Sequence, residues 1–117
     1  MTDLHTIDHD LANLAAALGA PARVHIVRLL VRRGPVAVSE IVREMPMAQS
    51  TISEHLRLLR EAGLVVGRKH GRTTHYEVEV TALRRLTSMV GSLATAAMSL
   101  PSNAAARPPA LPDRSPR

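Results

Sequence analysis

Apolar residues recur at helical spacing over most of the chain and at strand spacing in one short region. The helical spacing predicts five helices, at residues of about 7–18, 21–33, 38–45, 49–62 and 81–100. Gly19, Gly34 and Gly63 follow the first, second and fourth of these helices, where a glycine often ends a helix. Pro21 suits the first position of the second helix, and Thr81 is placed to cap the fifth.

The strand spacing lies between the fourth and fifth helices. Leu64 to Val66 opens one strand, and apolar and polar residues alternate in a second strand from Thr74 to Val80. Gly71 permits a tight turn between them, so the region is predicted to form a β-hairpin. The end of this hairpin carries a basic cluster: Arg68, Lys69, His70 and Arg72.

The fourth predicted helix has two different faces. Ile52, Leu56 and Leu59 form an apolar stripe, and short polar side chains occupy the first turn and a half: Gln49, Ser50, Thr51 and Ser53. Such side chains can reach base edges in a major groove, and the positive end of the helix dipole favours phosphate. With the short helix before it, the turn at 46–48 and the basic hairpin after it, the pattern indicates a winged helix-turn-helix. The alternative is an amphipathic surface helix capped by its own Ser and Thr.

Three stretches of the chain resemble the ArsR/SmtB family of small bacterial regulators. LGAPARVHIVRLL at 18–30 is similar to that family's opening motif, STISEHLRLLREAGLV at 50–65 to its recognition helix, and GRTTHYEV at 71–78 to the second half of its wing. The resemblance implies a mainly α fold with a small β-hairpin: five helices plus a wing, with a homodimer formed through the first and last helices. It also implies binding of double-stranded DNA by a transcriptional regulator.

The candidate DNA-binding residues lie on the recognition helix and the wing. Gln49, Ser50, Ser53 and His55 are expected to read bases or to position the helix. Thr51 is expected to help to anchor the helix. Arg57, Arg68, Lys69 and Arg72 complete the candidate set, and the three wing residues are expected to hold phosphates or to probe the minor groove.

Composition agrees with a duplex-binding domain. A chain of 117 residues suits one domain, expected at 1–100, and the proline-rich remainder at 101–117 is expected to be disordered. The chain has one Tyr and no Phe or Trp, whereas single-strand and RNA binders usually stack bases on aromatic rings. Residues 21–78 hold ten basic and five acidic groups, whereas residues 1–20 hold three Asp and no Lys or Arg. A basic middle of this kind attracts phosphate.

The fifth helix is expected to form an interface. The fifth helix comes after the wing in the chain, and the elements before it already supply nearly all of the domain core. It nevertheless carries a long apolar stripe: Leu83, Leu86, Val90, Leu93, Ala97 and Leu100. The first helix has a similar face of small and apolar residues, at Leu11, Leu14, Ala15 and Leu18. We therefore expect a homodimer through these two helices. The alternative is that the fifth helix folds back on its own domain.

Six histidines raise the question of a metal effector. His5 and His9 are four residues apart with Asp8 between them, and imidazole with carboxylate suits Ni or Zn. The alternative is an N-terminal segment that is acidic for solubility. Two other metal sites that the resemblance would imply are absent, because their positions hold Ala37 and Ser39 and because residues 83–100 contain no His, Asp or Glu. His25 is expected to be a packed or capping residue, and the wing histidines, His70 and His75, to contact phosphate or solvent.

Several classes of protein are excluded. The chain has no Cys, so it has neither disulfides nor thiolate metal sites. No catalytic motif, targeting signal or membrane-length apolar run is present, which predicts a cytoplasmic protein that is not an enzyme and requires no cofactor. The predicted function is a homodimeric repressor that binds an inverted-repeat operator and responds to Ni or Zn. The alternative is a winged-helix regulator without a metal site, controlled by a protein partner or a non-metal signal.

Overall fold

The computed structural model describes the backbone of residues 4–101 and the side chains of residues 6–101. In chain order, the described part contains five helices and three short strands: α1 (Leu4–Ala17), α2 (Pro21–Arg33), β1 (Val36–Ala37), α3 (Val38–Glu44), α4 (Gln49–Glu61), β2 (Val65–His70), β3 (Thr73–Val78) and α5 (Val80–Met98). The five predicted helices and the hairpin are confirmed. The tail was predicted at 101–117, and all of it except Pro101 lies outside the described residues.

The helix ends follow from local chemistry. Pro21 opens α2, and Gly34 closes it with φ 78° while its N–H donates to the Leu30 carbonyl at 2.8 Å. After α4, Gly63 has φ 82°, and its N–H donates to the Arg60 carbonyl. The N–H of Leu64 donates to the Leu59 carbonyl at 3.0 Å, which completes a Schellman motif. The predicted role of Gly63 as a C-terminal cap is therefore confirmed.

The three strands form one antiparallel sheet in the order β1-β3-β2. β2 and β3 are joined by a two-residue turn in which Gly71 has φ 66° and Arg72 does not have a positive φ, the pattern of a type II′ turn. β1 pairs with the other edge of β3, placing Val36 opposite Tyr76. Sequence analysis missed β1, because two residues are too few to show a strand period. β1 fixes the base of the wing to the segment between α2 and α3.

The core is aliphatic and lies where α1 to α4 meet the sheet. Its fully buried side chains come from α2, α3, α4 and the residue just before β2: Ile26, Leu29, Leu30, Ile41, Ile52, Leu56, Leu59 and Leu64. Leu14 and Ala17 from α1 join the same cluster, and Tyr76 and Val78 from β3 pack against it. The recognition helix and the wing are therefore held by a common core.

The start of α5 differs from the prediction. The Glu79 N–H donates to the Leu64 carbonyl at 2.8 Å, so the chain is tied to the sheet as far as Glu79 and turns helical at Val80. Glu79 is the N-cap, its carbonyl accepting the N–H groups of Ala82 and Leu83. Thr81 lies inside the first turn, so the expectation that Thr81 caps α5 is wrong.

Within the part of the chain that the structure describes, only the first half of α5 is covered by other residues. Leu83, Leu86 and Met89 are half-buried against the core, and Arg85 forms an ion pair with Asp10 of α1. Beyond Met89 every residue of the helix is exposed, with Leu93 61% exposed. The stripe predicted from the sequence is therefore divided between a half that packs on its own domain and a half that stays open.

Across the residues that the structure describes, no single helix is long and apolar enough to cross a membrane. The α1 segment from Thr6 and α2 have that length and composition only together, and they are bent by 87° with respect to each other.

Candidate nucleic-acid interface

The N-terminal tip of α4 presents polar side chains that the fold does not use. Gln49, Ser50, Thr51 and Ser53 are all exposed. The N-cap of α4 is Ala48, and no side-chain hydrogen bond caps the helix. Within residues 6–101, none of the four polar side chains forms a side-chain hydrogen bond. The alternative interpretation, in which these polar side chains cap α4, is therefore wrong. Their hydrogen-bond donors and acceptors are open to solvent.

The opposite face of α4 is fixed in the core. Ile52 and Leu59 are 0% exposed and Leu56 is 1% exposed. The turn before α4 is equally defined, because Met45 is buried and the Met47 N–H donates to its carbonyl at 2.8 Å. Burial of this stripe sets the rotation of α4 about its own axis, which keeps the polar tip outside.

His55 and Arg57 differ from the residues of the tip. His55 is half-buried, and its Nδ1 lies 3.2 Å from Nη1 of Arg23 on α2. Arg57 is exposed and forms ion pairs along its own helix with Glu54 and Glu61. The hydrogen bonds to Glu54 and Glu61 raise the pKa of Arg57, and the bond from Arg57 lowers the pKa of Glu54. These two predicted residues have partners within the chain.

The wing carries three basic groups, of which one is paired within the hairpin and two are not. Nε of Arg68 donates to Oε1 of Glu77 at 2.7 Å across the hairpin, which raises the pKa of Arg68. Lys69 and Arg72 are exposed, and no ion pair found in the described part of the chain includes either of them. Lys69 and Arg72 are thus the wing cations available to phosphate, and Arg68 is held on the hairpin.

Close packing connects the wing to α4. A Cβ on Gly67 would lie 3.0 Å from Cγ2 of Thr74 and 3.0 Å from Cε1 of Tyr76, so these side chains fill the place of a side chain at 67. The guanidinium carbon of Arg60, in the last turn of α4, lies 5.7 Å from the Tyr76 ring centroid. The hairpin and the recognition helix therefore share a contact through Tyr76.

The remaining histidines lie in different surroundings. The rings of His70 and His75 meet edge to face with centroids 4.8 Å apart. Nδ1 of His75 is buried, and no partner for it occurs among the described residues. His25 is exposed and borders a shallow cavity with Met45 and Met47. The expectation that His25 is packed or a cap is wrong, because His25 is exposed and forms no side-chain hydrogen bond within residues 6–101.

The candidate metal ligands lie on one helix. Because α1 begins at Leu4, His5, Asp8 and His9 occupy positions i, i+3 and i+4, which share a helix face. Asp8 and His9 are exposed, and the His5 side chain lies outside the described residues. Over the residues that are described, no group of three or more His, Cys, Asp or Glu is placed to hold a metal ion.

Two further cations were missed by sequence analysis. Arg43 is exposed in the last turn of α3, the helix that crosses the DNA backbone in helix-turn-helix proteins. A basic residue near the end of the helix that precedes the recognition helix was the available signal. Arg23 was missed as a neighbour of His55, and no local pattern could have found it, because the two residues are 32 positions apart.

Comparisons with known proteins agree on a family. The family model for bacterial regulatory proteins of the arsR family matches residues 20–66. The chain is 34% identical over 82 residues to an uncharacterised HTH-type transcriptional regulator of Methanocaldococcus jannaschii, covering 70% of this chain and 92% of that protein. It is 39% identical over 61 residues to the arsenical resistance operon repressor of Escherichia coli K12, covering 52% of each protein.

A solved structure extends the likeness to the fold. The homodimeric winged helix-turn-helix DNA-binding domain from Mycobacterium bovis, determined by solution NMR, superposes with a TM-score of 0.65 at 25% identity. The superposition covers 86% of this chain and 92% of that chain.

Proposed function

The chain belongs to the ArsR family of bacterial regulatory proteins, and from this premise we propose that it is a homodimeric transcriptional repressor that binds an inverted repeat in duplex DNA. Family members are transcriptional regulators and not enzymes. The observation that carries the proposal is the exposed polar tip of α4, which the fold does not use, beside a hairpin with two unpaired cations. A cytoplasmic location is part of the same proposal, since the operator is there.

The tip of α4 enters the major groove. Gln49, Ser50 and Ser53 read base edges, because their side chains are short and can both donate and accept hydrogen bonds. Thr51 anchors the helix, and the N-terminal end of α4 faces phosphate with its positive dipole. Arg57 contacts phosphate when DNA replaces Glu54 and Glu61 as its partner.

The wing lies along the DNA backbone. Lys69 and Arg72 contact phosphates or enter the minor groove, and Arg68 keeps Glu77 from repelling the DNA by pairing with it. Arg43 on α3 adds a phosphate contact on the other side of the recognition helix. The phosphate contacts are independent of sequence, so they contribute affinity and not base preference.

The open half of α5 forms the dimer interface with α1. Val90, Leu93 and Leu100 are 49%, 61% and 69% exposed in the single chain, and such apolar surface favours association. The relative from Mycobacterium bovis is described as homodimeric. A two-fold axis through α5 would place two recognition helices on one face of the DNA, as an inverted repeat requires.

Retention on duplex DNA at increasing salt tests the proposal. The full chain should bind duplex more tightly than single-stranded DNA, with an affinity that falls steeply as salt rises, and the slope should decrease by about one in Lys69→Ala and in Arg72→Ala. Lys69 and Arg72 are compared with Arg84→Ala, an exposed arginine on α5 away from the wing, which should leave the slope unchanged. A shallow slope, equal for all variants, would instead favour a winged helix that binds a protein partner.

A metal effector is a finer part of the proposal. His5, Asp8 and His9 share a face of α1, and nitrogen and oxygen ligands suit Ni or Zn. A metal there would bias the relative orientation of the two subunits, because α1 packs beside α5. The protein with His5→Ala and His9→Ala should lose Ni and Zn binding in a titration and lose the metal response on DNA. A double variant that binds and responds like the parent would place the effector elsewhere, as a protein partner or a non-metal signal.

A further inference from the structure

Arg23 connects three elements through one guanidinium group. It lies in the first turn of α2, and its Nε donates to the carbonyl of Ala17, the last residue of α1, at 2.8 Å. Its Nη2 lies 3.5 Å from the Ala16 carbonyl, and its Nη1 lies 3.2 Å from Nδ1 of His55 on α4. The end of α1 and the recognition helix are thus bridged by a single side chain.

Arg23 does not act as a simple ion-pair partner. It borders a cleft of about 530 Å³ together with Asp10, Glu61 and Arg85. Those carboxylates are already paired, Asp10 with Arg85 and Glu61 with Arg57. In the part of the chain that the structure describes, no ion pair includes Arg23. Its donors are directed to carbonyls and to an imidazole.

The chemistry of a hydrogen bond at this contact would fix the form of the His55 ring. A guanidinium has only donors, so Nδ1 of His55 can only accept, which requires the neutral imidazole with its proton on Nε2. A protonated His55, or the tautomer with the proton on Nδ1, would place two donors face to face. The bridge therefore selects one of three forms of the ring.

We propose that Arg23 is a positioning residue for DNA recognition, holding α4 against the end of α1 through Nδ1 of His55. The inference rests on the proposed function, since it concerns how the recognition helix is presented to DNA. It assigns His55 an inward role, as the acceptor that seats the helix, and leaves base reading to the exposed tip. Because α1 also packs on α5, the same side chain links the recognition helix to the helix pair of the proposed dimer interface.

The first arm of the test needs no DNA. Long-range proton–nitrogen NMR spectra of the histidine rings should show His55 protonated at Nε2, and the His55 signal is identified by its loss in H55N. In R23M the Nδ1 signal of His55 should move, because the donor is gone, while R28M, an exposed arginine on the same helix, should leave it in place. A His55 that carries its proton on Nδ1, or whose signal is the same in R23M and the parent, would overturn the proposal.

The second arm measures affinity for a duplex selected with the parent protein. H55A and R23M should each bind about tenfold more weakly, and the double variant no more weakly than R23M, because the hydrogen bond that H55A removes is already absent in R23M. H55N should bind like the parent, since the Asn oxygen can occupy the place of Nδ1 while Nε2–H is lost. R28M controls for the loss of one charge, and thermal unfolding checks that the variants are folded.

The outcomes separate the inference from the function on which it rests. H55N as weak as H55A would mean that His55 contacts DNA directly, and additive losses in the double variant would mean that Arg23 and His55 act independently. Either result overturns the positioning role while DNA binding stands. A parent protein that binds no duplex would contradict the proposed function, and the NMR arm would still decide whether Arg23 holds His55.

Discussion

α4 and α5 are both amphipathic helices, but their apolar stripes end in different surroundings. The apolar stripe of α4 is buried against the rest of the same chain, with Ile52 and Leu59 0% exposed. The stripe of α5 has no buried residue, and its second half is open. The exposed surface that the fold does not use is polar on α4, and on α5 it is apolar. The first kind of surface suits a nucleic acid, and the second suits another copy of the chain.

Topology explains this difference. α4 follows α3 directly and lies across α2 and β2, so apolar neighbours surround its stripe. α5 begins after the last strand and contacts its own domain through α1 and its first turns, so among the described residues its far end stays exposed. A stripe of the same spacing can therefore belong to a core or to an interface.

The largest expected effect is on the closed stripe. Leu56→Ala should lower the free energy of unfolding by roughly 2–5 kcal/mol, because it opens a cavity at a residue that is 1% exposed. Denaturant unfolding at several protein concentrations measures it, and the loss should be the same at each. Leu93→Ala is the matched control on the open stripe, and its effect should depend on concentration. A Leu56→Ala protein as stable as the parent would break the comparison.

A second change addresses the open stripe alone. Leu93→Glu should convert the dimer to a folded monomer, because a carboxylate in an apolar interface costs on the order of 2–5 kcal/mol. Light scattering gives the mass, and circular dichroism checks the helix content. Leu86→Glu should do the same, but Leu86 is half-buried against its own domain, so Leu93 gives the cleaner result. A Leu93→Glu protein that stays dimeric would place the interface elsewhere.

A third pair of variants tests the polar surface of α4 against the wing. Ser53→Ala should change the base preferred at one position of each half-site, on the order of tenfold, because its exposed hydroxyl is proposed to face the groove. Arg72→Ala should weaken binding to all sequences alike. Binding to a panel of single-base variants of the site measures both. Equal losses for both variants on every sequence would contradict the assigned roles.

The smallest effect concerns the exposed charges of α4. The hydrogen bond from Arg57 lowers the pKa of Glu54 in the folded protein. The pair therefore stabilises the fold fully at a pH above the ordinary pKa of a glutamate. This stabilisation is lost as the pH falls through the lowered pKa of Glu54. Both groups are exposed, so solvent screens the pair. Glu54→Gln should therefore lower the thermal midpoint far less than Leu56→Ala does at neutral pH, and not at all in strong acid. A neutral-pH shift as large as that of Leu56→Ala would show that solvent does not screen the pair.

The sequence predicted the elements better than their contacts. Five helices, the hairpin and the glycine boundaries follow from spacing and from residues such as Gly63, whose chemistry is local. The strand β1, at Val36–Ala37, was not predicted, because its strand conformation depends on its pairing with β3. The exposed tip at Gln49 to Ser53 was likewise readable from residue type. The Arg23–His55 contact and the ion pairs of Arg57 depend on side-chain packing in three dimensions, so they became visible only in the fold.

The central claim is that two copies of the chain present two recognition helices to an inverted repeat. Selection of bound duplexes from a random pool, followed by the mass of the complex with the selected duplex, measures this directly. We predict a pseudo-palindrome whose half-site centres lie about one helical turn, roughly 34 Å, apart, bound by two chains. A single unrepeated site bound by one chain, or a bound pool no different from the starting pool, would contradict the claim.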